Sequence, residues 1–180
     1  MKISFGARYI NSIPVLKKVG SDYKKQEISF VELDMEDARD MNSLNKTNDK
    51  WGEESYLSIA KECMEQGAKD AKRHLYMATE QADSFECLDE KKVLGAVVFD
   101  EGKRENHIEL LQVEPNNLAR NTKSAKWRRV GTSIVNNLQQ MFSAKPMTVF
   151  SAGDAIGFYK KTGFVEDNDK KSGLAYVWNA

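Results

Sequence analysis

Cysteine is scarce in this chain of 180 residues, which holds only Cys63 and Cys87. A disulfide framework usually shows more, so both are expected to be reduced thiols, as suits a cytoplasmic protein. There is no CxxC, no HExxH and no His/Cys cluster, and histidine itself occurs twice, so no metal site is expected. An excess of one charge is also missing, since 27 Lys and Arg balance 27 Asp and Glu. That removes the overall basic footprint of a dedicated nucleic-acid binder, while a local basic patch stays open. No apolar run approaches the length of a membrane span, and Met1 to Arg8 lacks the apolar core of a signal peptide. A soluble cytoplasmic protein with no membrane partner is the expectation.

What is present fits a globular domain, with 41% hydrophobic and 30% charged residues. The length suffices for one α/β core and is short for two. With no internal repeat and no low-complexity linker, residues 1–180 are read as one domain, of which residues 1–26 are an unassigned N-terminal extension. Pro14 interrupts the apolar residues between Tyr9 and Val19, and Gly20 to Gln26 is polar.

Beyond that extension the periodicity is clearer. Glu27 to Leu33 alternates as a strand. The acidic Asp34-Met35-Glu36-Asp37 suits the positive end of a helix reaching about Lys46. A second helix starts near Glu53, with Tyr56, Ala60, Cys63, Met64, Gly67 and Ala71 at helical spacing. His74 to Thr79 and Val93 to Phe99 read as strands joined by an exposed hairpin loop from Asp83 to Lys92. A turn at Asp100 to Lys103 leads to a third strand, His107 to Val113, so this stretch predicts an antiparallel meander. After a long polar loop, Glu114 to Lys126, a helical stripe runs through Val130, Ile134, Val135, Leu138, Met141 and Phe142. Pro146 to Phe150 is a short strand and Asp154 to Thr162 a short helix ending at Gly163. Phe164-Val165 and Leu174 to Trp178 close the pattern as strands. The fold class predicted is mixed α/β.

Two segments carry chemistry. In the first, Leu110-Leu111-Gln112-Val113-Glu114-Pro115 feeds a basic loop that opens a helix at Lys126-Trp127-Arg128-Arg129-Val130-Gly131-Thr132-Ser133. Unpaired N–H groups at a helix start, backed by the helix dipole, can hold phosphate. Gly131 lets a ligand approach the main chain, and Lys123, Lys126, Arg128 and Arg129 add positive charge. An ordinary solvated basic loop explains the same residues and stays open. In the second, Ala155-Ile156-Gly157-Phe158-Tyr159-Lys160-Lys161-Thr162-Gly163-Phe164 is a short helix that carries a tyrosine, ends on glycine and returns to a strand. A tyrosine so placed is also an ordinary core aromatic.

Together, in this order, the segments resemble the GNAT superfamily of N-acetyltransferases. Ala155, Tyr159, Gly163 and Phe164 match its A-x-x-x-Y-x-x-x-G-F signature, and Gly131 fits its phosphate-binding Q/R-x-x-G-x-G/A signature. Val93-Leu94-Gly95 looks like the family's third strand. The resemblance covers about Leu75 to Phe164, is looser before it and is absent from the first 26 residues. Lys126 stands where the family has Gln or Arg, and Arg129 replaces the middle glycine, a change tolerable if its φ is negative. The link from Pro115 to Lys126 is longer than the family's. Ala152 occupies the place of an asparagine that touches the cofactor arm, leaving Ser151 or Asp154 to supply that contact.

The resemblance implies a mostly antiparallel central sheet of about six to seven strands flanked by helices. It also implies direct attack of an amine on acetyl-CoA in a ternary complex. Leu111 and Val113 would bond the pantetheine arm through their main chain, and an N–H there would polarise the thioester carbonyl. N–H groups from Arg129 through Val130, Gly131 and Thr132 to Ser133 would hold the pyrophosphate, with Lys126 and Arg128 beside them. Tyr159 would protonate the departing thiolate. Glu109 leads as the base, with Glu114 second, and both also read as plain exposed carboxylates; His107 could shuttle a proton or have no role.

The acceptor is an amine on a small molecule or a protein, with specificity expected in Asp34 to Lys72 and the Glu114 to Lys126 loop. Glu36, Asp37, Asp40, Glu53 and Glu54 there could favour a cationic amine, or form a solvated helix face. Two other readings compete: a catalytically inactive GNAT-fold module binding acyl-CoA or a protein, and a nucleic-acid contact through Arg120 to Arg129 with Trp127 stacking on a base. A homodimer pairing through the C-terminal strand is a further option.

Overall fold

A computed structural model of the chain describes residues 6–118, 124–167 and 174–179. Two long strands, β1 (Arg8–Val19) and β2 (Asp22–Glu32), open the chain as a hairpin. The first helix, α1 (Ala38–Trp51), follows, and after a single 3-10 turn comes α2 (Leu57–Gln66). The meander is β3 (Ala71–Thr79), β4 (Val93–Gly102) and β5 (Asn106–Val113). A two-residue strand, β6 (Trp127–Arg128), precedes α3 (Val130–Met141) and β7 (Met147–Phe150). Then come α4 (Ile156–Lys161), β8 (Val165–Glu166) and β9 (Ala175–Trp178). All strands join one sheet in the order β6-β1-β2-β3-β4-β5-β7-β9-β8. Every pairing is antiparallel except β5 with β7.

The mixed α/β class, the mostly antiparallel sheet and the flanking helices are as expected. Among the described residues the strand count is nine, more than six to seven, and part of the difference lies in the segment read as an extension. Residues 8–19 pair with β2 along its length, from Arg8↔Glu32 to Val19↔Asp22. Two residues, Gly20 and Ser21, make the turn, with Gly20 at φ +65°. A glycine at positive φ in the first central position is one of the arrangements that matches strand twist in a tight hairpin. Pro14 is tolerated because β1 lies near the sheet edge, where β6 pairs only with Leu16 and Lys17.

The helices also begin later than their sequence pattern suggests. Asp37 caps α1, its carboxylate accepting the Arg39 N–H at 2.8 Å. In α2 the apolar spacing overran the end, because Gly67 turns to φ +65° and Ala71 already belongs to β3. The loop between β3 and β4 is not simply exposed: Leu88 is buried, and the Phe85 carbonyl accepts the Ala7 N–H at 3.0 Å.

The sheet separates two apolar layers. On one face Val97, Phe99 and Ile108 meet Ile134 and Leu138 of α3 and Tyr159 of α4. On the other, Leu75, Met77 and Val98 meet Leu44 and Trp51 of α1 and Leu57 and Ala60 of α2. Gly95 lets α3 lie directly on β4, since a Cβ there would sit 2.8 Å from Ile134 Cδ1 and 3.1 Å from Val130 Cγ1. β9 runs between β7 and β8. Cross-dimer pairing through the C-terminal strand therefore meets a strand already flanked on both sides.

Candidate functional site

The site begins where two parallel strands part. β5 and β7 pair over Asn106↔Met147, His107↔Thr148 and Ile108↔Val149, after which β5 runs on to Val113 without that partner. On its β4 side, Val98 faces Leu110 and Phe99 faces Ile108, so Glu109 is an extra residue and forms a β-bulge. A bulge bends its strand and re-aims the side chain it carries. Further along, the Glu114 N–H bonds the Leu94 carbonyl at 2.9 Å, and Gln112 lies opposite Ala96. Alternate residues turn their backbone groups the same way in a ladder. The N–H and C=O groups of Leu111 and Val113 therefore point away from β4, into the opening toward β7.

The start of α3 stands behind that opening. Gly131 is buried against Val113 and α4: a Cβ on it would come within 3.2 Å of Val113 Cγ2 and 3.4 Å of the Phe158 ring. No side chain caps the helix. The Ser133 N–H bonds the Arg129 carbonyl at 2.8 Å, which narrows the uncommitted helix-start donors to Val130, Gly131 and Thr132. The Ser133 hydroxyl donates to the Pro14 carbonyl and ties this turn to β1.

Arg129 departs from expectation. It adopts φ +64°, ψ 12°, the left-handed conformation, so the negative φ on which the tolerance of a non-glycine residue depended is not met. The cause is local: Arg128 is still paired to Leu16 in β6 and α3 begins at Val130, so one residue must reverse the chain. Arg128 is turned toward the N-terminal hairpin and Lys126 toward Glu80, which follows β3. Lys126 Nζ is 3.5 Å from Glu80, and the Arg128 guanidinium lies 3.9 Å above the Tyr23 ring, whose hydroxyl donates to the Ala125 carbonyl at 2.6 Å. Trp127 is 1% exposed, so it cannot stack on a nucleic-acid base. Arg120 and Lys123 lie outside the described residues.

Tyr159 shares the α3-side apolar layer with Leu111 and Val113. Its ring packs edge-on against Phe158 and Phe164 at 5.0 and 5.5 Å between centroids. Burial pushes its pKa up to about 12, so the phenol stays protonated through the physiological range. Ser151 is buried, donating its hydroxyl to the Ala152 carbonyl at 2.8 Å.

The two carboxylates differ in their surroundings. Glu109 is half-exposed, 3.5 Å from Arg73 and 3.9 Å from His107. Arg73 is chiefly committed elsewhere, with two 2.6 Å bonds to Asp100 and a third to the Cys63 carbonyl. His107 Nδ1 lies 2.9 Å from the Thr148 hydroxyl, inside the sheet rather than at an edge. Glu114 is held by Lys50 at 2.8 Å and by Asn117 Nδ2 at 2.5 Å. It lines a cavity of about 200 Å³ with Lys50, Trp51, Glu54, Pro115 and Asn116. One further contact went unseen in the sequence: the Gln112 side chain donates to the Glu54 carbonyl and accepts the Tyr56 N–H, both at 2.7 Å. It fastens the connection between α1 and α2 to β5; a lone polar residue ending an apolar strand was its only signal.

Solved structures share this architecture. Gcn5 from Tetrahymena superposes with a TM-score of 0.55 at 15% identity, over 85% of this chain and 95% of that one. The PaiA N-acetyltransferase of Thermoplasma acidophilum, solved with coenzyme A, gives 0.52 at 14% identity, over 86% of this chain and 100% of that one. The chain has the GNAT fold. At the level of sequence no protein-family model and no curated protein matches it. The GNAT-fold catalytic domain of the Tetrahymena GCN5 histone acetyltransferase, also in complex with coenzyme A, superposes at 0.50 with 16% identity, over 84% of this chain and 91% of that one. Among the described residues no helix is long and apolar enough to cross a membrane, and no group of His, Cys, Asp and Glu could hold a metal.

Proposed function

We propose that this GNAT-fold chain is an acetyl-CoA-dependent N-acetyltransferase that moves acetyl to a primary amine by direct attack in a ternary complex, in the cytoplasm. The observation that carries the reading is the parting of β5 from β7 beyond Ile108, with backbone groups of Leu111 and Val113 turned into the gap and the start of α3 behind Val113. An extended amide-bearing arm fits that strand edge, and a pyrophosphate suits the N–H groups of Val130 to Thr132 at the helix start. The coenzyme A bound in the PaiA and GCN5 structures supports the same assignment.

The proton inventory follows from the residues. Glu109, on the bulge, takes one proton from the acceptor ammonium, directly or through water. The amine nitrogen then bonds the acetyl carbon while the Val113 N–H stabilises the carbonyl oxygen. The carbon–sulfur bond breaks with its electron pair on sulfur. Tyr159 donates to that sulfur, and the second proton leaving nitrogen restores the phenol. Glu114 is the weaker candidate for base, because Lys50 and Asn117 already hold its carboxylate.

Titration calorimetry with acetyl-CoA and with free CoA tests the reading. Micromolar binding, weakened in a Gly131→Leu variant whose side chain would fill the space beside Val113, is expected. A folded protein that binds neither ligand overturns it and leaves a GNAT-fold module with another partner.

A further inference from the structure

Resting on that reading, the surface around Glu109 bears on which amine is accepted. α2 runs beside β5: the Tyr56 N–H bonds Gln112, and the Cys63 carbonyl bonds Arg73, which contacts Glu109. Tyr56, Ile59 and Cys63 stand at i, i+3 and i+7, one stripe of the helix. Two of them are exposed apolar side chains, Tyr56 at 58% and Ile59 at 45%. On the β7 side, the ring of Phe150 lies edge-on to His107 at 5.6 Å and is 59% exposed. Glu109 thus lies on β5 with Arg73 linking it to α2 on one side and His107, which carries the Phe150 ring, on the other.

Of the acidic residues that could have favoured a polyamine, Asp37 and Asp40 lie elsewhere, while Glu53 and Glu54 stand in the turn before Tyr56. Asp37 caps α1 and pairs with Arg39, and Asp40 is fully buried. Both belong to the first turn of α1, whereas Lys50 of its last turn meets Glu114 at the end of β5. A chain of several ammonium groups needs several carboxylates in a row; beside Glu109, Asp100 is already held by Arg73 through two 2.6 Å bonds.

We propose that the acceptor is a singly charged primary amine on an aromatic or branched aliphatic frame, its nitrogen at Glu109 and its frame between Ile59 and Tyr56 on α2 and Phe150 on β7. The frame would cover apolar area that these three side chains now show to water.

The test is acetyl transfer, followed by thiol release, with phenethylamine and putrescine as matched acceptors. kcat/KM for phenethylamine is expected to exceed that for putrescine by about tenfold or more. Phe150→Ala and Ile59→Ala should each raise KM for phenethylamine by about tenfold, with kcat and CoA affinity unchanged. Both residues are exposed, and the unchanged CoA affinity verifies folding. A preference for putrescine, an unaltered KM in both variants, or a protein that binds CoA yet acetylates neither amine overturns the substrate assignment. Failure to bind CoA at all falls instead on the acetyltransferase reading.

Discussion

Replacing Arg129 by glycine should stabilise this protein, although it deletes a large side chain. At φ +64° the residue sits in left-handed space, which costs an L-residue about 1–2 kcal/mol because its Cβ crowds the following carbonyl. Glycine removes that cost and returns about 0.4–1 kcal/mol to the unfolded chain as entropy. The net gain is about 0.5–1 kcal/mol, or a Tm rise of about 1–4 °C for a domain of this size. Arg129→Ala is the discriminating control, because alanine keeps the Cβ and so keeps the strain. Thermal unfolding of the three proteins, with CoA titrations on each, separates backbone from side chain. A higher Tm for glycine alone supports the left-handed turn; equal shifts for glycine and alanine, or a loss with glycine, refute it. If both variants bind CoA as the parent does, the phosphate is held by main-chain N–H groups. A matched loss in both would instead show the guanidinium pairing with phosphate.

Asp40→Asn should stabilise only at neutral and alkaline pH. Burial raises the Asp40 pKa from 3.8 to about 6, against the Asp34 N–H bond that lowers it, and its second oxygen has no partner. The folded value lies above the unfolded one, so the charged form costs stability as pH rises through that window. Denaturant titrations should show a gain of about 1–3 kcal/mol near pH 8 and none below about pH 4; equal gains at both would refute the titration argument. Gly95→Ala should cost about 1–3 kcal/mol by pressing on Ile134 and Val130, and adding Ile134→Val, which deletes the nearest methyl, should recover part of it. Tyr159→Phe should lower kcat by about 10²–10⁴ while CoA still binds. With a pKa of about 12, Tyr159 should add no falling limb to the rate below about pH 11. An alkaline limb near pH 9 that disappears in the phenylalanine variant would count against its assigned role.

What was legible in the sequence, and what was not, follows the range of the interactions involved. The meander of β3, β4 and β5, the stripe of α3 and the glycine end of α4 are written in local periodicity, and Gly163 does adopt φ +89°. The N-terminal hairpin has the Gly20-Ser21 signal too. Its alternation is diluted because β1 has a polar outer margin: Lys17 faces Trp127 and Glu80, and Lys18 bonds the Lys126 carbonyl. The bulge at Glu109 is a mismatch between two strands, so no window on one strand could reveal it. The same holds for Arg129 and for the long link before it. That link leaves β5, and Asn117 accepts the Trp127 N–H at 2.9 Å while donating to Glu114, which ties the two described ends of the link together. The chain then pairs with β1 as β6 and must turn at once into α3. The link, strand β6 and the left-handed arginine thus meet at one place, the edge of the sheet, where the chain pairs with β1 and turns at once into α3.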